Sequence, residues 1–362
     1  MTAAAFRPFR IFCLLACLIL SRSACAAALP PALEQALASA EIPHSAVAID
    51  IQPLVPGKPV LSLNAKQSMN PASVMKLVTT YAALQRLGPT HTWSTTAYAD
   101  AEPLDGVLAG NLYLGGGGDP KLTLEAFWLL LRQLRLHGVR DIRGDLVLDR
   151  SRYALPAPDP AAFDGAPQRP YNVAPDALLL SYQALRLQFM PHADGKTLVG
   201  AEPNFPTLEV INLLEPSGPA NGNCGDWKES VRVDFGGTPP NLNVIVTGRY
   251  PAACGEQSWL FGLPPGVDYL GGVFRQFWSE LGGTLGGSTR SGSVPEGAKP
   301  VARQESPPLT EVLRDINKYS NNVMARMLYL SLGAESGARP VRLANAEAAL
   351  RQFWSGLGLP AA

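Results

Sequence analysis

The sequence predicts an α+β fold in which a helix-bearing domain is split by a long β-rich insertion. Three observations carry this: helix-period apolar segments lie near both ends of the chain, short β-like runs fill the middle, and 34 Gly with 33 Pro in 362 residues punctuate them with turns. A chain that is 46% hydrophobic and 17% charged can bury a full core. Its length suits about two domains. Lys and Arg number 30 against 30 Asp and Glu, which removes the electrostatic case for nucleic-acid binding.

Residues 1–28 read as a secretory signal, with Arg7 and Arg10 ahead of an apolar run from Ile11 to Leu20 and small residues following to Ala28. Ten apolar residues span about 15 Å, roughly half a bilayer core. Cleavage behind Ala26 or Ala28 is therefore expected, with no transmembrane anchor afterwards. It removes three arginines and no acid, leaving 27 basic against 30 acidic residues. Cys13, Cys17 and Cys25 leave with the signal, while Cys224 and Cys254 remain. An even pair in an oxidising compartment predicts a disulfide closing a loop of about 30 residues. The four histidines, His44, His91, His137 and His192, stand at no metal-ligand spacing, so no metal or other cofactor is expected.

After the signal, Pro31 to Ala40 predicts a short helix, and Ser45–Gln52 with Lys58–Leu63 an antiparallel hairpin around a Pro-Gly turn. Asn70-Pro71-Ala72-Ser73 breaks the strand pattern. Apolar Val74, Leu77, Val78, Tyr81, Ala82 and Leu84 then recur at helical spacing until Gly88-Pro89, so a helix begins at or just before Ser73. From about Thr92 to Tyr250 come β-like runs at Asn111–Leu114, Asp145–Asp149, Leu185–Met190, Ser230–Phe235 and Asn241–Thr247, interrupted by one helix, Thr123–His137. Leu155–Pro175 carries six prolines and is expected as an ordered surface loop. After Cys254 the pattern turns helical: Val267–Leu281, Leu309–Tyr319, Val323–Leu332 and Val341–Trp354. The implied division is a signal (1–28), the first part of the split domain (29–95), the inserted region (96–262) and the second part (263–362).

Two constellations could carry chemistry. In Ser73-Val74-Met75-Lys76 the residues three apart share a helix face, so the Lys76 ammonium can reach the Ser73 hydroxyl. A hydroxyl needs a base to become a nucleophile, and a lysine with a lowered pKa can be that base. A serine in the first helical turn also sits among free backbone N–H groups that can stabilise an oxyanion. In Ser320-Asn321-Asn322, between two helical segments, Ser320 offers a hydroxyl for proton relay and Asn322 an amide with both donor and acceptor. The Ser-x-Asn pattern recurs at Ser62-Leu63-Asn64 and Ser68-Met69-Asn70, and spacing does not choose among the three. Gly115–Gly118 lacks a following Gly-Lys-Ser/Thr and reads as a tight strand turn rather than a phosphate loop.

Ser-x-x-Lys, Ser-Asp-Asn and Lys-Thr-Gly are the three signatures of penicillin-binding proteins and class A β-lactamases. The segment from Asn70 to Leu84 resembles the nucleophile helix of the D-alanyl-D-alanine carboxypeptidase/endopeptidase family, the low-molecular-mass class C penicillin-binding proteins of peptidase family S13. Ser306 to Asn322 resembles that family's second motif with its preceding helix, and the long interval from Ser73 to Ser320 matches its large insertions. Tyr113–Pro120 and Gly144–Asp149 are similar to parts of the inserted region. The resemblance runs from about Ala32 to Leu357. It implies a serine β-lactamase/transpeptidase-like domain, an antiparallel sheet with helices, located in the periplasm. It further implies Ser73 as acylated nucleophile, Lys76 as general base, and Ser320 with Asn322 as relay and positioning pair. Peptidoglycan stem peptides would be the substrates and β-lactams covalent inhibitors, with hydrolysis of D-Ala–D-Ala through an acyl-serine.

Two departures stand out. Asn321 occupies the place of the family's usual Asp, in a position that points away from the cleft. No Lys-Thr-Gly or Lys-Ser-Gly occurs among the eight lysines, and the chain stops at Ala362, before the C-terminal portion that carries that motif in the family. The expectation is that C-terminal strands of the sheet are missing. Two rivals follow: a catalytically impaired protein that only binds cell-wall peptides or a partner, and, less favoured by the large insertion, a β-lactamase or esterase.

Overall fold

Helical periodicity becomes helix wherever the apolar stripe finds a surface to bury against. The computed structural model describes residues 29–216 and 222–358, so the signal reading for 1–28 lies outside the described residues. The chain divides into two compact units, one ending at Ala72 and the other running from Ser73. The first holds helix α1 (Pro31–Ser39) and an antiparallel pair, β1 (Ile49–Ile51) with β2 (Leu61–Leu63). The hairpin is shorter than the sequence predicts, because His44–Ala46 forms a 3₁₀ turn in place of strand.

The second unit opens with α2 (Met75–Leu87) and continues through β3 (Ser94–Ala99), β4 (Val107–Leu108) and β5 (Leu112–Gly116). Next come α3 (Leu124–Leu136), β6 (Asp141–Ile142) and β7 (Leu146–Asp149). The region that follows contains β8 (Ala184–Pro191), β9 (Thr197–Glu202), β10 (Leu208–Glu215), a single turn α4 (Trp227–Ser230), β11 (Val231–Gly236) and β12 (Leu242–Arg249). Then come β13 (Gln257–Gly262), α5 (Tyr269–Glu280), β14 (Thr284–Leu285), β15 (Thr289–Ser291) and β16 (Lys299–Glu305). Three helices follow: α6 (Leu309–Tyr319), α7 (Asn322–Ala334) and α8 (Leu343–Gly356).

Five strands form a mixed sheet in the order β15-β7-β5-β3-β16. Strands β5 and β7 are parallel, with Leu112 opposite Leu146, and α3 supplies the crossover between them. Thr123 caps α3, its hydroxyl accepting from Ala126 N at 3.2 Å, and Phe127, Leu130, Leu131 and Leu134 are fully buried on one face. Two three-stranded sheets, β13-β8-β9 and β10-β12-β11, extend the same core through Phe189, Trp227 and Tyr250, whose rings lie 5.0–5.2 Å apart. Cys224 and Cys254 are joined as a disulfide at this edge.

The sequence reading underestimates the strand content after Cys254. Edge strand β16 pairs antiparallel with β3, but its Lys299, Arg303 and Glu305 are the polar dress of a protected sheet edge and give no apolar run. The glycine run is also not simply a turn. Gly115 and Gly116 end β5, and a Cβ on Gly117 would lie 2.0 Å from the Ser94 carbonyl oxygen, so the run permits close backbone approach. The proline-rich loop is ordered through Asp164, whose carboxylate accepts from Tyr171 Oη at 2.6 Å and Asn172 Nδ2 at 2.8 Å.

Helices α2, α6, α7 and α8 make a separate cluster with its own core, including Ala82, Trp93, Val312, Ile316 and Leu328. Helices α7 and α8 meet at Gly333, where a Cβ would stand 2.7 Å from Ala346 N.

Candidate active site

A 3₁₀ turn over Ala72–Val74 leads into α2, which puts Ser73 one turn ahead of Lys76 on an exposed face. The Lys76 ammonium donates to Ser73 Oγ at 3.0 Å, to Ser320 Oγ at 3.2 Å and to Asn322 Oδ1 at 2.5 Å. An ammonium has three donors and no acceptor, so three acceptors saturate it.

The Ser320 end of this hub depends on how α6 stops. Ser320 takes a left-handed conformation (φ 53°, ψ 40°), and its N–H bonds the Ile316 carbonyl as a helix C-cap. The chain then turns sharply into α7. Asn321 is the N-cap of α7, its side chain accepting from Met324 N at 3.0 Å. Three consecutive residues thus have separate duties: Ser320 and Asn322 face Lys76, and Asn321 faces its own helix. Asn and Asp cap helices about equally well, which explains why Asn can occupy this middle position. Because the Lys76 ammonium can only donate, the Asn322 carbonyl oxygen turns toward it.

Burial holds the Lys76 pKa below the ordinary lysine value, and the Arg326 guanidinium lowers it further. No sequence motif marks Arg326. It lies four residues beyond Asn322 on α7, and that spacing was the available signal.

The other two Ser-x-Asn sites are structural. Asn64 donates to the His44 and Val47 carbonyls at 2.8 and 2.9 Å, and Asn70 accepts from Ala72 N at 2.9 Å. Ser320–Val323 also line a cavity of about 1060 Å³, together with Trp128, Tyr171, Arg186 and Glu202 among others. Among the described residues, no group of three or more His, Cys, Asp or Glu could hold a metal, and no helix is long and apolar enough to cross a membrane.

The model of the D-Ala-D-Ala carboxypeptidase 3 (S13) family matches residues 29–362. The chain belongs to that family. Among curated relatives of this S13 chain, a D-alanyl-D-alanine carboxypeptidase of Actinomadura sp. (strain R39) is 28% identical over 356 residues, 92% of this chain and 60% of the relative. The D-alanyl-D-alanine carboxypeptidase DacB of Haemophilus influenzae is 24% identical, over 78% of this chain and 57% of the relative. The chain thus spans about three-fifths of the length of these relatives. Penicillin-binding protein 4 (DacB) of H. influenzae superposes with a TM-score of 0.67 at 21% identity, covering 84% of this chain and 66% of that one. The same protein in complex with a β-lactam gives 0.60 at 22% identity, over 80% and 61%. This likeness shows the fold: a transpeptidase-like domain carrying an inserted sheet region.

Proposed function

We propose that this S13 chain is a serine-type D-Ala-D-Ala carboxypeptidase/endopeptidase polypeptide that acts on peptidoglycan stem peptides in the periplasm and is acylated by β-lactams. The observation that carries this reading is the single ammonium of Lys76 bonded to Ser73, Ser320 and Asn322. In its neutral form, favoured by the lowered pKa, Lys76 takes the Ser73 proton as Oγ attacks the D-Ala carbonyl carbon. Backbone N–H groups of the first turn at Ser73 face the developing oxyanion, and the Asn322 NH₂ holds the peptide carbonyl. Ser320 relays a proton to the leaving amine as the C–N bond breaks. Water then hydrolyses the Ser73 ester, with Lys76 again accepting the proton.

The named activity of the relatives and the β-lactam complex of the superposed protein support the substrate class. The disulfide fits an exported protein, as the signal reading of 1–28 requires. Packing of α2 against α6 and α7, across the long interval between them, supports the part of the division into 29–95, 96–262 and 263–362 that pairs Met75–Leu87 with the C-terminal helices around an inserted region.

Incubation with fluorescent penicillin followed by peptide mass mapping tests the assignment. The adduct is expected on Ser73, and Ser73→Ala should abolish labelling. Persistent labelling of the Ser73→Ala protein would sink the reading. A folded wild type that never labels would favour the rival in which the chain only binds cell-wall peptides, and rapid nitrocefin turnover would favour a β-lactamase.

A further inference from the structure

We propose that the Lys121–Asp315 ion pair, together with the Tyr182 ring beside it, is a positioning clamp that sets the Ser320–Asn322 turn against Lys76. The catalytic part of this inference rests on the reading of Ser73 as nucleophile.

Asp315 lies on α6, five residues before Ser320, and its carboxylate receives Lys121 Nζ at 2.6 Å, with the two side chains only 21% and 25% exposed. Lys121 directly follows the glycine run and Asp119-Pro120. On the opposite side of α6, Asn317 and Thr80 exchange a hydrogen bond at 3.3–3.4 Å, and Thr80 is one turn along α2 from Lys76. Helix α6 is therefore held between the helix that carries the base and the loop that carries Lys121. Its last residue, Tyr319, delivers Ser320.

Tyr182 ties the two ends of this arrangement together. Its ring packs on the α2/α6/α7 core and also on the small cluster containing Val323 and Met327, in the first turns of α7. Ser181 N donates to the Leu122 carbonyl at 2.8 Å, so the Tyr182 turn and the Lys121 segment are directly linked. Ser181, Tyr182 and Gln183 all have left-handed backbone, with φ of 43°, 56° and 47°. None of the three is glycine, and an L side chain adopts such a conformation only against steric strain. Strain kept at three successive residues points to a position that must be held. Burial, with Asp315 and Asp119 nearby, pushes the Tyr182 phenol up to about 12, so it remains a neutral wedge.

An exposed ion pair usually contributes little to stability and would be incidental. This one is mostly shielded, and removing one partner would leave the other poorly compensated. The hydrogen bond from Lys76 to Ser320 is already 3.2 Å long, and hydrogen bonds fail beyond about 3.5 Å. A small rotation of α6 would therefore break it, and displacement by about 1 Å can cost ~10²-fold in rate.

The test compares full-length wild type with Lys121→Glu, Asp315→Lys and the double exchange, each at a temperature well below its own melting midpoint. Penicillin labelling of Ser73 is resolved into a non-covalent affinity and a first-order acylation constant, and amide hydrogen exchange is followed at residues 320–325. Each single change is expected to lower the acylation constant by ~10- to 100-fold with little change in affinity, and to speed exchange at 320–325. The double exchange should recover both. If a charge reversal does not fold, Lys121→Gln replaces it, with Lys121→Arg as the variant expected to retain function. Unchanged acylation and exchange in the single variants, or losses that the double exchange leaves in place, would overturn the clamp. A wild type unlabelled at Ser73 would instead remove the serine-peptidase reading, and hydrogen exchange alone would still decide whether the pair holds the turn.

Discussion

The helix cluster and the sheet region solve opposite problems. Among the described residues, the sheet region buries a continuous core of 35 side chains, while the core that α2, α6, α7 and α8 gather around has nine. The large core is apolar and includes Phe274 and Trp278, stacked at 5.7 Å. The small one stands beside a polar hub of a lysine, two serines and an asparagine. On the proposed reading, a small core beside a polar hub leaves Ser73 exposed to substrate and solvent, and the Lys121–Asp315 pair with Tyr182 positions the turn that faces it. On that reading, the chemistry resides where burial is least complete, and the stability where it is greatest.

The comparison breaks most sharply if each region is damaged alone. Phe274 is fully buried, and Phe274→Ala should lower unfolding free energy by about 3–5 kcal/mol, read by denaturant titration. The pH profile of acylation of the folded fraction should not move. Conversely, Asn322→Ala should slow acylation by penicillin about 10²-fold, near 2.7 kcal/mol in barrier, while the denaturation midpoint changes far less. Equal losses of stability in the two variants would erase the distinction between regions.

The smallest effect is electrostatic. If Lys76 is the base, as proposed, it acts only when neutral, so acylation should rise with pH through its folded pKa, and the lowered pKa puts that rise below the range of an ordinary lysine. Arg326 is the secondary cause, behind burial. Arg326→Gln should therefore move the rise toward higher pH by less than about one unit, with rates converging at alkaline pH. A shift toward lower pH would contradict this account.

Much of this architecture is legible in sequence. Helix α6 spans Leu309–Tyr319, the bounds its periodicity predicts, because Leu309, Val312 and Ile316 form one buried stripe. Thr123 announces α3 by its cap. Strand β3, of small and hydroxylated residues, and β16, with its charges, carry too little apolar signal to be seen. At the site, spacing brings Ser73 and Lys76 together but leaves three Ser-x-Asn patterns open; the family resemblance selects Ser320 and Asn322, and long-range packing is what carries them to Lys76. The left-handed turn at Ser181–Gln183 lacks the glycine or asparagine that usually marks such backbone, and nothing local reveals it.

One consequence follows from the cap at Asn321. The middle position of the Ser-x-Asn turn answers to the start of α7, whereas its flanking positions answer to Lys76. Any side chain able to receive the Met324 N–H, whether Asp, Asn, Ser or Thr, satisfies it. A pattern written with a fixed acid there would discard members of the family for a feature that belongs to helix grammar, and a pattern written around caps would keep them.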